Sequence, residues 1–196
     1  RTGLKIISGR HPDDPKSVDV ELVGPIPTAM TAAIVTSLPG VTLPVEIVSE
    51  IERAGEMLAA EGWHVEYAQP PELDKVVRMW GQVLTNDFSP RTLNGVVSEK
   101  IVRLMSGTAE YFDQDRGSLD SLLAERRRLR RLWSEFFSRY AVCVGPTWTR
   151  RQWPIDSDLI PSTGVELTVD TLWFVAPGNG LGIPAVAVPT GIRDGL

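Results

Sequence analysis

AAIVTSLPGVTLPVEIVSEIERAGEMLAAEGWHVEY, the stretch from Ala32 to Tyr67, reads as a strand, a helix and a second strand. Ala32-Ala-Ile-Val-Thr36 is a short apolar, β-branched run closed by Ser37-Leu-Pro-Gly40, the composition of a strand that ends in a turn. From Val45 the apolar positions change period to Ile47, Val48, Ile51, Ala54, Gly55 and Leu58, one face of an amphipathic helix. Gly62 stands where a helix C′ glycine would, because a residue without a Cβ enters the left-handed region at no steric cost. Trp63, Val65 and Tyr67 then alternate with His64 and Glu66, as a half-buried strand requires. Two strands joined through a helix run parallel, with a right-handed crossover. The expected fold class is therefore α/β, a mixed sheet that contains this βαβ unit and is covered by helices.

The rest of the chain extends that plan. Pro70-Pro71 ends the unit, and Leu73, Val76, Val77, Trp80 and Leu84 recur at helical spacing. A further helix is expected over about 93–105, and a longer one from Ser118 to Tyr140, where Leu122, Leu129, Trp133 and Phe137 belong to one broad apolar stripe. Ala141-Val-Cys-Val-Gly145 reads as a buried strand stopped by Pro146. Residues 146–164 show no period but carry Trp148, Trp153, Arg150, Arg151, Asp156 and Asp158. Loops of that length tend to be functional or disordered. A helix from Glu166 to Val175, a glycine-rich turn and an apolar strand Ala185–Val188 complete the expectation.

Composition bounds the function. The 196 residues, 42% hydrophobic and 23% charged, suffice for one domain with a real core. A net charge of -5 gives no general attraction to nucleic acid or anionic lipid. No apolar run reaches the length of about 18 residues that a membrane span needs. One cysteine excludes an internal disulfide and fits a reducing compartment, read as cytoplasmic. A homo-oligomer stays open.

Several residues invite a chemical reading. The run Arg126-Arg-Arg-Leu-Arg-Arg131 is interrupted by the core stripe, so it reads as a solvated helix face whose stems lie over apolar neighbours. His11 and His64 stand in no ligand pattern, and no metal site is expected. No serine has a Gly-x-Ser-x-Gly context. Cys143 sits between two valines of a buried strand, where a thiol behaves as a small hydrophobe. Gly178-Asn-Gly-Leu-Gly182 precedes a strand instead of opening a helix after one, so it fails the context of a dinucleotide loop and reads as a helix C-terminus. Trp148 and Trp153 lie where no periodicity explains burial, which makes them candidates for a pocket wall.

Phe174-Val-Ala-Pro-Gly-Asn-Gly-Leu-Gly-Ile-Pro-Ala-Val-Ala-Val-Pro-Thr-Gly191 resembles the C-terminal hallmark of the amidase signature family, with Phe174, Asn179, Gly182, Pro184, Ala185, Pro189 and Gly191 in register. Val144-Gly-Pro-Thr147 is similar to that family's strand ending in Thr-Pro-Thr, and Gly9-Arg-His-Pro-Asp-Asp-Pro15 to its Gly-x-x-Pro-x-Asp-Pro segment. Arg1-Thr2 resembles the Arg-Ser/Thr that follows the signature region. The family's Gly-Gly-Ser-Ser-Gly-like segment occurs nowhere in these residues.

The resemblance implies that residues 1–196 are a C-terminal portion of a single amidase domain, incomplete at both ends. It implies hydrolysis of a carboxamide to an acid and an amine or ammonia through an acyl-enzyme, without a cofactor. The Ser-Ser-Lys machinery would come from a missing N-terminal portion, so no catalytic residue is assigned here and the chain alone is expected to be inactive. A subunit of a tRNA-dependent amidotransferase is a related possibility. The partners implied are a small-molecule amide and that missing portion. Thr147, Trp148, Trp153 and Asn179 are the candidate substrate-binding residues. From the residues alone, a non-enzymatic α/β ligand-binding or protein-interaction module remains the alternative.

Overall fold

The computed structural model describes residues 8–15, 17–19, 21, 23–24, 30–87 and 95–191. Arg1-Thr2 and the stretch 192–196 lie outside the described residues, as does the start of the helix expected at about residue 93.

The expected βαβ unit is present. Strand β1 (Thr31–Ile34) leads through helix α1 (Val45–Ala60) to β2 (His64–Tyr67). Helices α2 (Leu73–Asp87), α3 (Glu99–Asp113) and α4 (Leu119–Arg139) follow, then β3 (Val142–Val144), a short 3-10 turn (Ser157–Leu159), α5 (Gly164–Thr171) and α6 (Ala176–Leu181). The strands form a three-stranded sheet of order β2-β1-β3, and β1 pairs parallel with both neighbours. The mixed sheet anticipated from the sequence is thus wholly parallel among the described residues.

Alternation along the strands sorts the core into two faces. Ala32 and Ile34 point with Val65, Val142 and Val144 toward Ile47, Ile51 and Leu58 of α1. Val35 and Cys143 join the opposite side, where Leu73, Val76 and Met79 of α2 meet Leu129 and Trp133 of α4 and Leu181 of α6. A second cluster joins Val77 of α2, Phe112 of α3, Val169 of α5 and Ala176 of α6. Trp133 buries its ring and donates its Nε1–H to the Pro71 carbonyl at 2.9 Å, which satisfies the one polar atom that burial would otherwise strand.

The helix starts follow local chemistry. Ser98 and Ser118 cap α3 and α4, each accepting from a backbone N–H three residues on. The helix α3 begins about six residues later than the apolar spacing indicated and runs on to Asp113. Gly62 has φ of +86°, as a C′ glycine should.

Three expectations are corrected. The helix expected over Glu166–Val175 runs from Gly164 to Thr171 and gives way to turns at Leu172–Val175, after which a second, short helix begins at Ala176. Pro177 explains the break: it lacks the N–H that would continue the first helix and is well placed in the first turn of the second. The glycine-rich segment is accordingly helical as far as Leu181, and Gly182 ends it with φ of +72°. Third, Ala185–Val188 is no strand; Val186 and Val188 are 85% and 69% exposed. A strand exists only through a ladder partner, and this segment pairs with none of the three described strands; Arg53 of α1 holds its end by donating to the Thr190 carbonyl.

Candidate functional site

In an open parallel sheet, ligands bind outside the carboxyl ends of the strands, where consecutive connections leave in opposite directions. Here β1 connects to β2 on one side while β3 lies on the other, so that point falls between the ends of β1 and β3. The backbone there is tightly drawn: Val35 N donates to the Val144 carbonyl at 2.9 Å, and Gln69 beyond β2 donates to the Ser37 carbonyl at 2.9 Å and to its Oγ at 2.7 Å. Gly145 follows β3 because nothing larger fits. A Cβ there would lie 2.4 Å from the Phe174 ring.

From this edge the chain enters the segment singled out in the sequence. Pro146 is buried, Thr147 is exposed, and Trp148 and Trp153 pack on each other with ring centroids 4.6 Å apart at 40°. Trp148 is 42% exposed and Trp153 half-buried, so neither is a core residue. Between them, Thr149 is fully buried and its hydroxyl donates to the Asp170 carbonyl of α5. Arg150 pairs with the Asp170 carboxylate, and Arg151 with Glu46 in the first turn of α1. Helix α1 begins at the carboxyl edge of the sheet, so Arg151 ties the loop to that edge while Arg150 ties it to α5. The sequence singled out the two rings but missed Thr149, Glu46 and Asp170 as the residues that fix them.

Asn179 lies elsewhere. It stands exposed on α6 at the rim of a cleft of about 320 Å³ between α2, α4 and α6, whose lining includes neither tryptophan. A more open cleft of about 590 Å³ lies between the start of α3 and the 3-10 turn, lined by Lys100, Arg103, Ile155 and Asp156 among others. The structure therefore brings Thr147, Trp148 and Trp153 together on one loop and leaves Asn179 to a separate groove.

The arginine run on α4 is less bland than its sequence indicated. Arg127, Arg130 and Arg131 are exposed, but Arg128 forks onto Glu72 at 2.8 and 2.6 Å and onto Glu125 at 2.8 and 2.6 Å. Hydrogen bonds from Arg128, then from Lys75, hold the Glu72 carboxyl down to about 2. Arg126 donates its Nε–H to the Gly180 carbonyl at 2.6 Å. Burial pushes the Cys143 thiol up to about 12, so at neutral pH it is a thiol and no nucleophile. Among the described residues, no cluster of His, Cys, Asp or Glu could hold a metal ion, and no helix is long and apolar enough to cross a membrane.

Over its whole length the chain is 25% identical to a protein of Bradyrhizobium diazoefficiens and to one of Bradyrhizobium japonicum, matching 38% and 43% of their lengths. Both relatives are indoleacetamide hydrolases. No protein-family model matches the chain. It spans about two-fifths of the length of the curated relatives it matches.

Proposed function

We propose that this chain is part of an amide hydrolase of the amidase signature type, and that its share of the work is scaffold and substrate-pocket wall. The observation that carries the reading is the match of the whole chain to two indoleacetamide hydrolases, beside the resemblance of Phe174 to Gly191 to the amidase signature hallmark. The loop leaving β3 fits the role physically, because it holds two half-exposed aromatic rings at the edge of a parallel sheet where ligands bind.

In the whole enzyme a serine hydroxyl attacks the amide carbon, and the carbonyl π electrons move to oxygen. Collapse of that tetrahedral species expels the amine, which takes up a proton, and leaves an ester. Water then attacks the ester, releasing the acid and restoring the hydroxyl. None of those groups is assigned to this chain. Thr147, Trp148 and Trp153 face the acyl part, and flat aromatic walls favour an arylacetamide over a short aliphatic amide.

The test is ammonia release from acetamide, phenylacetamide and indole-3-acetamide by the 196-residue chain and by any longer polypeptide in which its coding sequence places it. The longer protein should turn over the arylacetamides, and the chain alone should turn over none. Activity of the chain alone that survives repurification would mean its own residues do the chemistry. A folded longer protein that carries a lysine and a Gly/Ser-rich segment yet hydrolyses no amide would remove the reading.

A further inference from the structure

The groove between α2, α4 and α6 is unused by the reading above. Its walls are apolar: the Trp80 ring, Val83, Leu84 and Leu123. Its volume of about 320 Å³ is at the lower end of that of small-molecule sites. Among the described residues, the only charged side chain lining it is Arg126, and Asn179 supplies an amide at the rim.

Arg126 is held in a defined pose. Its Nε–H goes to the Gly180 carbonyl at 2.6 Å, and among the described residues neither terminal nitrogen of the guanidinium has a partner. Gly180 lets the helix come this close: a Cβ at that position would stand 3.0 Å from the Trp80 Cβ. One edge of the guanidinium is thus committed to the protein, while its terminal nitrogens keep the paired donors that suit a carboxylate.

We infer that this groove binds a small aromatic carboxylate, its ring against Trp80, Val83, Leu84 and Leu123 and its carboxylate on Arg126 and the Asn179 amide. An aromatic ring against an indole and aliphatic walls buries apolar area and stacks favourably. The carboxylate meets one positive charge and, among the described residues, no lining acid, so the complementarity is for an anion and not for a neutral amide. The inference is independent of amide hydrolysis, because it concerns binding at a site that includes neither tryptophan of the loop.

Calorimetric titration of the purified chain with phenylacetate and with phenylacetamide tests it. Phenylacetate should saturate one site and bind at least about tenfold more tightly than phenylacetamide, the ratio expected of one charge-assisted hydrogen bond of about 1.5 kcal/mol or more. Arg126→Met should weaken phenylacetate by at least about tenfold and leave phenylacetamide nearly unchanged. Asn179→Asp, at an exposed position, leaves the Arg126 to Gly180 bond in place and sets a like charge beside the ligand, so it should weaken phenylacetate by a similar factor even if Arg126→Met does not fold. Equal affinity for acid and amide, no saturable binding below about 10 mM, or wild-type affinity in a folded Asn179→Asp variant would each overturn the inference.

Discussion

Replacing the paired tryptophans of the β3 loop separates a pocket wall from a core. A fully buried tryptophan cut to alanine typically costs about 3–5 kcal/mol. Trp148 leaves 42% of its surface in water in the folded state, so roughly half of that penalty applies, about 2 kcal/mol. The ring pair at 4.6 Å accounts for about 0.5–1.5 kcal/mol of it, as aromatic pairs do in double-mutant cycles. Trp148→Ala and Trp153→Ala should therefore each lower stability by about 1–2 kcal/mol, and the double variant should lose less than their sum by that coupling. Trp133→Ala is the internal standard. It is 3% exposed and donates its N–H to Pro71, so it should lose the full 3–5 kcal/mol, about that of a core site. Urea denaturation gives the stabilities, and kcat/KM for a small and a bulky amide in the longer polypeptide gives the functional half. The loop variants should alter the ratio between the two amides, and Trp133→Ala should not. Losses of about 3–5 kcal/mol from both loop variants, with the wild-type ratio retained, would place these rings in the core and refute the reasoning.

Three further outcomes follow from named contacts. Glu72 is held at about 2 by hydrogen bonds from Arg128 and Lys75, below the usual glutamate value of 4.5, so its contribution to stability is present above that value and lost as pH falls through about 2; Glu72→Gln should flatten the acid limb of a pH series of urea midpoints, and an unchanged limb would show that the network contributes nothing. Gly81→Ala should destabilise although alanine is the better helix former by about 1 kcal/mol, because the added Cβ would lie 2.5 Å from the buried Phe112 ring and overpacking costs about 1–3 kcal/mol; a raised urea midpoint would contradict this. Cys143, with its thiol pushed up to about 12, should resist a thiol-reactive disulfide reagent at pH 8 in the folded chain and react at least about tenfold faster in urea, whereas rapid stoichiometric labelling of the native protein would show the strand edge open.

What was legible in the sequence was whatever a short period encodes. The shift from the continuous apolar run at Ala32–Thr36 to helical spacing from Val45 placed β1 and α1, and the stripe from Leu122 to Phe137 placed α4 within a residue of its observed ends. Alternation failed first where the partner mattered more than the pattern. Tyr67 was expected inward beside Val65, yet it is 66% exposed while Glu66 is half-buried. Glu66 can turn in because Tyr140 donates to it at 2.8 Å and Arg139 at 2.6 Å, and those bonds hold its carboxyl below the usual range; both partners lie more than seventy residues away. The helix α6 shows the same override. Gly178 and Gly180 oppose helix formation locally, but Gly180 is what lets α6 lie against Trp80, and packing decides.

The candidate site was legible only as far as its lack of pattern. Trp148 and Trp153 stood out because nothing periodic claimed them, whereas the contacts that give the loop its shape join Arg151 to Glu46 across 105 residues and Arg150 to Asp170 across 20. Exposed ion pairs of this kind contribute only about 0–1 kcal/mol each to stability, so their consequence is positional. Glu46 lies in the first turn of α1, at the carboxyl edge of the sheet, and Asp170 also accepts the buried Thr149 hydroxyl through its carbonyl. The loop is therefore fixed at three consecutive residues, Thr149, Arg150 and Arg151, between two rings that stay partly in water. That arrangement holds the aromatic faces in place, and under the proposed role as a pocket wall, faces already ordered would have less entropy to lose on binding.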